Sequence, residues 1–396
     1  MYIRSNYLER LKQSNDKQII KILTGVRRTG KSTIMEMFRL QLLAENVSPA
    51  NIQFYNFEDL SLEDMTNYRS LNEKIESHLQ SDGMNYIFLD EIQNVEQFEK
   101  VLDSLFIKKN VDLYVTGSNA YMLSGHLATL LAGRYIEIHV LPLSFKEYFQ
   151  NQTDEPSVAF QTYLEKGGFP FTTQIDDEKT YKDYVNGIVN TVLIKDILTR
   201  KKRSDATLVE QLAKFLTDSA ANLISVKKIA DTLTSMGQKT SNDTISSYLS
   251  AFNEAFLFYK CDRYDIAGKK YLSINSKYYP VDQGLRKALL GSKRPNIGNR
   301  LETIVYFELI RRGYDVYVGI VGKLEIDFVA IKDGTTSYYQ VAYSVGEEAT
   351  YQREVASLKQ INDHYRKYLL TSDLGTYNDE GIEQKNIIDW LLEDKH

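Results

Sequence analysis

Apolar positions in the first 141 residues fall into short, nearly unbroken runs, separated by stretches whose apolar residues recur at helical spacing. The runs "QIIKILTG" (18–25), "NIQFYNF" (51–57), "NYIFLDE" (85–91), "VDLYVTGS" (111–118) and "YIEIHVL" (135–141) read as strands buried on both faces of a parallel sheet. Between them, "KSTIMEMFRLQLLAEN", "SLNEKIESHLQSDG" and "VEQFEKVLDSLFIKKN" read as helices. Strand–helix–strand alternation predicts a doubly wound α/β domain over residues 1–141.

From 142 to 203 the strands stop and the pattern turns helical, interrupted by "GGFPF" (167–171). Gly167 and Gly168 permit close backbone approach, and Phe169 and Phe171 flank Pro170, which predicts a packed interdomain turn in preference to a nucleotide contact. Residues 204–290 hold three helix candidates, "TLVEQLAKFLTDSAAN", "SVKKIADTLTSMG" and "SNDTISSYLSAFNEAFL", the last two opening on a capping Ser. Two β-rich runs follow, joined by a turn around Gly268. Three helices and a hairpin are the order of a winged helix-turn-helix. Residues 291–396 begin with a helix, "IGNRLETIVYFELIRRG", continue through "DVYVGIV", "EIDFVAIKDG" and "SYYQVAYSV", and read as a separate α/β domain.

Length and composition agree with a multidomain soluble chain: 396 residues, 43% apolar and 26% charged. No apolar run approaches the roughly 20 residues that span a bilayer, and "MYIRSNYLERLKQSNDKQ" lacks an apolar signal core. The lone Cys261 cannot form an internal disulfide, so a reduced, cytoplasmic protein is expected. Formal net charge is −5, yet residues 195–275 carry 13 Lys/Arg against 9 Asp/Glu, leaving −9 for the remainder. Any nucleic-acid contact is therefore expected in that middle section, which includes "RKKR" (200–203).

"GVRRTGKST" (25–33) fits G-x-x-x-x-G-K-[ST], directly after a strand and opening a helix. Gly25 and Gly30 let the backbone amides curl toward phosphates, and Arg27, Arg28, Thr29 and Thr33 complete the nucleotide-binding loop. Lys31 is placed to reach the β- and γ-phosphates of ATP or GTP, and the Ser32 hydroxyl to hold Mg²⁺. "YIFLDE" ends an apolar strip with two acids: Asp90 suits the Mg²⁺ shell, and Glu91 the orientation of the attacking water. Asn119, in "LYVTGSNAYML", is a candidate sensor of the γ-phosphate or the water, with Ser118 and Thr116 as alternatives. Arg134, in "LAGRY", is a candidate for stabilising transition-state charge in its own or a neighbouring subunit, against an ordinary surface salt bridge.

With "GVRRTGKST", "FLDEIQNV", "TGSNAYML", "LAGR", "LPLSFKEYF", "GGFPF", "GNRLETIVYFEL" and "LEIDFVA" in this order, the chain resembles, over nearly its full length, a family of prokaryotic AAA+-type P-loop ATPases with a restriction-endonuclease-like C-terminal domain of unassigned function. The resemblance implies a P-loop ATPase core, a helical lid, a winged helix and an endonuclease-like α/β domain. In the endonuclease-like fold an Asp and a Glu or Gln on adjacent strands hold metal, a helical Glu often assists, and a Lys follows two residues on. Glu302, Asp327 and Gln340 match in order, but the Lys position is Ala342, with Lys323 in "GKLEIDF" a candidate to substitute. The domain is expected to be degenerate.

Two functions follow as expectations. One is a Mg²⁺-dependent ATPase coupling its nucleotide state to DNA or RNA binding through the helix "SNDTISSYLSAFNEAF". The other is an ATP-driven, oligomerising signalling or defence switch that binds protein partners; an ATP-dependent nuclease stands behind both. A second copy of the chain is a candidate partner, and a membrane is not.

Overall fold

Five parallel strands form the sheet of the first unit: β1 (Ile20–Thr24), β2 (Ile52–Asn56), β3 (Asn85–Asp90), β4 (Val111–Thr116) and β5 (Tyr135–His139). Their order is β2-β3-β4-β1-β5. Burial follows the order: β3, β4 and β1 are buried at every position, and the edge strands β2 and β5 only in part. Continuous apolar runs are what central parallel strands need, because helices cover both faces. Alternate residues of β3 show this. Tyr86 and Phe88 pack with Ile34, Met35, Phe38 and Leu42 of α2 (Lys31–Ala44) and Tyr7 and Leu11 of α1 (Ser5–Gln13). Ile87 and Leu89 pack with Leu71 and Ile75 of α3 (Tyr68–Glu76) and Val101, Leu102 and Leu105 of α4 (Phe98–Phe106).

The computed structural model describes residues 2–118, 120, 131, 133–198, 205–291 and 296–394. The chain divides into two units, Met1–Pro142 with Glu254–Phe256, and Leu143–Asn253 with Leu257–His396. One charged position interrupts the strand β1: Lys21 is fully buried, and its ammonium is bonded to Asp112 of β4 and to the Lys17 carbonyl at 3.1 Å. Tyr114 donates to the same Asp112 at 2.8 Å. Burial lowers the Lys21 pKa and raises that of Asp112, so the pair tolerates the interior only by neutralising each other.

The second unit opens with α5 (Phe145–Phe149), started by a Ser144/Glu147 capping box, then α6 (Pro156–Lys166) and α7 (Glu178–Thr191), which runs into a π-helical turn at Val192–Leu198. Three helices follow: α8 (Ala206–Asp218), α9 (Val226–Ser235) and α10 (Asn242–Glu254). Ser225 accepts from the Lys228 amide at 3.1 Å and Ser241 from the Thr244 amide at 3.2 Å, so both serine caps are made. The hairpin β6 (Phe258–Asp265) and β7 (Lys270–Pro280) comes next, then α11 (Gln283–Leu290) and α12 (Ile297–Arg311). The remaining elements are β8 (Asp315–Val321), β9 (Leu324–Lys332), β10 (Thr335–Val341), α13 (Glu348–Lys359), β11 (Arg366–Thr371), β12 (Tyr377–Asp379), β13 (Ile382–Asn386) and α14 (Ile387–Leu392).

The hairpin is not a free wing. β6 pairs in parallel with β8, Arg263 opposite Val318, and the eight strands form one sheet in the order β12-β13-β11-β10-β9-β8-β6-β7. That sheet runs across the division at 290 expected from the sequence, and residues 143–198 cluster with it in the second unit. Among the described residues no helix is long and apolar enough to cross a membrane.

"GGFPF" folds as a turn inside this unit. Gly168 N–H donates to Asp282 Oδ2 at 2.6 Å, and Gly284 N–H donates to Asp282 Oδ1 at 2.7 Å. Gly167 has φ +76°, and a Cβ there would lie 1.9 Å from Asp282 Oδ1, so the carboxylate requires glycine beneath it. Phe169 is fully buried and Phe171 is half exposed against Tyr184, which accounts for the two aromatics.

Burial pushes the Asp282 carboxyl up to about 6, against the pull of the two amides. A folded-state value above the ordinary one means that Asp282 favours folding most below pH ~4 and loses that contribution as pH rises to ~6, on the order of 3 kcal/mol. The stability of wild type relative to Asp282→Asn should therefore decline between pH 4 and 6 and level off above. Fluorescence of Trp390, the chain's one tryptophan and a buried residue of this unit, reads the unfolding. A difference that stays constant across that window would exclude Asp282 as the titrating group.

Candidate active site

The phosphate-loop sequence sits between β1 and α2. Gly25 follows β1 with φ +138°, and a Cβ on it would fall 2.1 Å from the Val140 carbonyl oxygen, so no side chain fits. Thr29 is buried and its hydroxyl donates to the Val26 carbonyl at 3.0 Å, tying the loop to itself. Gly30 caps α2 with φ +92°; no side chain caps this helix and its first turn holds no acid. The first amides of α2, with the positive end of its dipole, are thus offered to an anion. Ser32 and Thr33 are exposed on that turn. Lys31 is buried; its ammonium donates to the carbonyls of Gly25 at 2.9 Å and Val26 at 3.2 Å and lies 4.0 Å from Glu91 Oε1. Arg27 reaches Glu58 at 3.4 Å, and Arg28 is exposed with φ +69°.

The acids stand at the C-terminal end of β3. Asp90 is fully buried, and its Oδ1 accepts from the Thr116 hydroxyl at 2.5 Å. Burial raises its pKa, while the Thr116 and Ser32 hydroxyls act in the opposite direction. Its other oxygen, Oδ2, is buried with no hydrogen-bond partner among the described residues. A carboxylate oxygen left without a donor, beside the hydroxyl of Ser32, fits a hard divalent cation, which takes oxygen ligands. Glu91 leaves the strand with φ +53°, donates its N–H to Thr116 Oγ1 at 2.8 Å, and accepts from the Gln93 amide on Oε2. Lys31, Ser32, Asp90 and Glu91, drawn from two distant stretches of sequence, are thus brought together.

Two residues that the motifs do not mark complete the surroundings. Arg4, just ahead of α1, is buried and donates to the carbonyls of Thr29 at 3.0 Å and Leu141 at 2.9 Å, with its guanidinium 4.5 Å from the Tyr7 ring centre. A lone Arg in a polar N-terminal stretch gives no sequence signal for this. His139 ends β5, lies 3.0 Å from the Thr24 hydroxyl and packs its ring on Phe256. Burial, with help from Lys31 and Arg10, pushes its pKa down to about 3, so it is neutral at ordinary pH.

Two expected participants are not brought in. Arg134 precedes β5 at the edge of the sheet opposite the loop: Ile20 pairs with Tyr135, whereas the loop follows Thr24, which pairs with His139. It is about 40% exposed and pairs with Asp103 of α4. A role at its own chain's phosphate loop is thereby corrected, because the strand's length separates the two. Asn119 lies outside the described residues, as does "RKKR" (200–203). Of the alternatives, Thr116 is committed to Asp90 and Glu91, and the buried Ser118 hydroxyl has no partner among the described residues.

In the second unit Glu302 and Asp327 come together around a cation the sequence reading missed, and Gln340 accepts from the Asp327 N–H at 3.3 Å. Lys277 of β7 is buried, with Nζ 2.7 Å from Glu302, 2.7 Å from Glu325 and 3.5 Å from Asp327. Tyr279 donates to Glu302 at 2.6 Å, and Asp327 accepts from the Val341 amide at 2.8 Å. Gln340 turns its amide to Glu354 at 3.1 Å. Burial pushes Glu302 up to about 8 even beside Lys277. Lys323 is exposed on the β8–β9 turn, and Ala342 is packed with Val355 and Leu358 of α13, where an ammonium would be buried without a partner. The stretch "INSKYYP" belongs to a β-rich run, and nothing local marked its Lys as buried.

Residues 17–149 match the model of an AAA domain, and residues 157–296 match that of a domain of unknown function. An uncharacterized protein of Haemophilus influenzae is 40% identical over 99% of both chains. An uncharacterized protein of Methanocaldococcus jannaschii is 29% identical over 93% of this chain and 85% of its own. The Walker-type ATPase of Pyrococcus abyssi superposes with a TM-score of 0.51 at 16% identity, over 73% of this chain and 96% of its own, which is a likeness of fold. The chain belongs to the family of that Haemophilus influenzae protein, and its AAA domain makes it an ATP-hydrolysing P-loop NTPase.

Proposed function

We propose that the chain is a Mg²⁺-dependent ATPase whose nucleotide state controls binding of a nucleic acid by the helices α9 and α10. In this reading Gly25, Arg27, Arg28, Thr29, Gly30, Lys31, Ser32 and Thr33 hold the phosphates, and Ser32 and Asp90 hold the cation. Mg²⁺, when bound, neutralises charge on the transferring phosphoryl group. Lys31 leaves the carbonyls of its own loop for the β- and γ-phosphate oxygens, and Glu91 orients the attacking water. Asn119 stays a candidate contact to the γ-phosphate, and Arg134 a candidate only for the site of a neighbouring copy.

The nucleic-acid contact in this reading rests on one observation. The exposed side of α10 is polar and nearly uncharged (Asn242, Asp243, Ser246, Asn253), and Lys227, Lys228 and Lys239 stand exposed on α9 and just before α10. Uncharged hydrogen-bonding groups flanked by cations suit base edges and phosphates respectively. We keep the division into a core (1–141), lid (142–203), winged helix (204–290) and endonuclease-like domain (291–396) as a reading. The helix order and the serine caps support the winged helix, and the pairing of β6 with β8 speaks against a free wing. The C-terminal domain is read as structural, with no nuclease chemistry.

Fluorescence polarisation of labelled DNA and RNA, without nucleotide and with ATP or ADP, tests the coupling. Affinity should differ between nucleotide states, since a ligand shifts an equilibrium only by its differential affinity. It should fall steeply with salt. Lys227→Glu with Lys228→Glu should weaken it at least about tenfold without changing basal ATP turnover. Absence of binding at low salt in every nucleotide state sinks the coupling. The same α10 face carries no Lys or Arg, and it would then be read as a protein docking surface.

A further inference from the structure

A buried hydroxyl must both donate and accept if it is to be satisfied, and Thr116 does so in an unusual direction. It is the last residue of β4 and is fully buried. Its Oγ1 reaches across to the neighbouring strand, donating to Asp90 Oδ1 at 2.5 Å and accepting the Glu91 N–H at 2.8 Å. One oxygen thus grips two successive residues, the pair read above as cation ligand and water-orienting acid.

Both grips have consequences for the reaction. Because Oδ1 of Asp90 is taken, the carboxylate is fixed with Oδ2 as the oxygen left unpartnered among the described residues. Glu91 stands at φ +53°, ψ +46°, a backbone region that residues other than glycine rarely adopt. Its N–H points out of the β3 ladder there, and Thr116 receives it. That turn carries the Glu91 carboxylate to 4.0 Å from Lys31. A hydroxyl so engaged has no hydrogen left to offer a phosphate, which separates Thr116 from the sensing role open to Ser118.

We propose that Thr116 is a positioning residue for ATP hydrolysis, holding Asp90 and Glu91 in the arrangement that binds the cation and aligns water. The inference rests on the roles assigned to those two acids in the proposed function. Val has the shape of Thr without the hydroxyl, and Ser has the hydroxyl without the methyl.

Thr116→Val should turn over ATP about 10- to 100-fold more slowly, the range seen when a partner behind a metal ligand is removed. The gain in ATP affinity on adding Mg²⁺ should shrink by a similar factor, while affinity measured in EDTA changes less than about twofold. Hydrogen exchange at the Glu91 amide should accelerate, and Thr116→Ser should restore all three readouts. Should Thr116→Val fail to fold, Thr116→Ala carries the same expectations. Wild-type turnover and Mg²⁺ gain in the Val variant overturn the inference, and so does a Ser variant as defective as Val, which would assign the effect to methyl packing. Asp90→Asn and Glu91→Gln run in parallel. Slow turnover in those two with normal turnover in Thr116→Val rejects Thr116 alone; normal turnover in all three rejects the underlying reading together with it.

Discussion

Lys31→Ala is expected to abolish nucleotide binding, and Glu91→Gln to preserve binding while slowing turnover by about 10²- to 10⁴-fold. Lys31 is the cation inside the phosphate loop, bonded to the carbonyls of Gly25 and Val26 and therefore within the curl that the Gly30 cap creates. Its removal withdraws the positive charge while leaving the polyphosphate's own charge uncompensated. The amide of Gln keeps the shape of Glu91, but it loses the negative charge on which the proposed water-orienting role depends. The two variants should also separate thermally. A ligand that binds only the folded state raises its melting temperature, so ATP should stabilise wild type and Glu91→Gln and leave Lys31→Ala unmoved. Turnover in Glu91→Gln equal to wild type would remove Glu91 from its role.

Lys277→Met is expected to be the most destabilising single change in the second unit. The ammonium stands among Glu302, Asp327 and Glu325, the first two buried. Without it, carboxylates remain in the interior with no counter-charge, a change that typically costs about 3–5 kcal/mol. For a unit of this size that corresponds to a fall of roughly 10 °C in melting temperature. Glu302→Gln added to Lys277→Met should recover much of the loss, because charge and counter-charge then leave together. The deficit should also grow with pH. Glu302 is already pushed up to about 8 with the lysine present, and loss of the cation pushes it further in the same direction. A carboxyl whose folded-state value is raised favours folding most below its ordinary value, and loses that contribution as pH rises through the raised one. The variant should therefore lie nearer to wild type at pH 5 than at pH 9, as read by Trp390 fluorescence. Equal stability of wild type and variant at pH 9 would show that the cluster is not held by this charge.

The contrast between Lys31 and Lys277 shows where the sequence was readable. Lys31 sits in a motif whose spacing is set by local geometry: a glycine at φ +138° where the loop leaves β1, a second glycine capping a helix, and amides that the helix must offer. Local rules of this kind act within a few residues, so they leave a pattern in the chain. The five parallel strands were legible for a similar reason, since burial on both faces demands apolar residues at every step. Asp90 and Glu91 were legible because two acids closing such a run must lie where the strand emerges.

Other features depend on residues far apart in sequence meeting in space. Lys277 differs from an exposed strand lysine only in that α12 and β9 bring three carboxylates to it. Arg4 is joined to Thr29 and Leu141, and Thr116 to Asp90 and Glu91, by contacts no local spacing encodes. The hairpin β6–β7 read as a wing because turn chemistry fixes a hairpin locally; its pairing with β8 was decided by which strand edge the fold left open. Arg134 was read as a charge stabiliser for its own or a neighbouring subunit, and parallel pairing of β5 with β1 puts it at the end of the sheet away from its own loop. By itself the sequence determined the five parallel strands and the spacing of the phosphate-loop motif, because periodic burial and short-range sterics govern both. The tertiary structure alone decided which charges are buried, which partners neutralise them and which hydroxyl bonds both acids' residues, because those depend on through-space distances that chain order does not constrain.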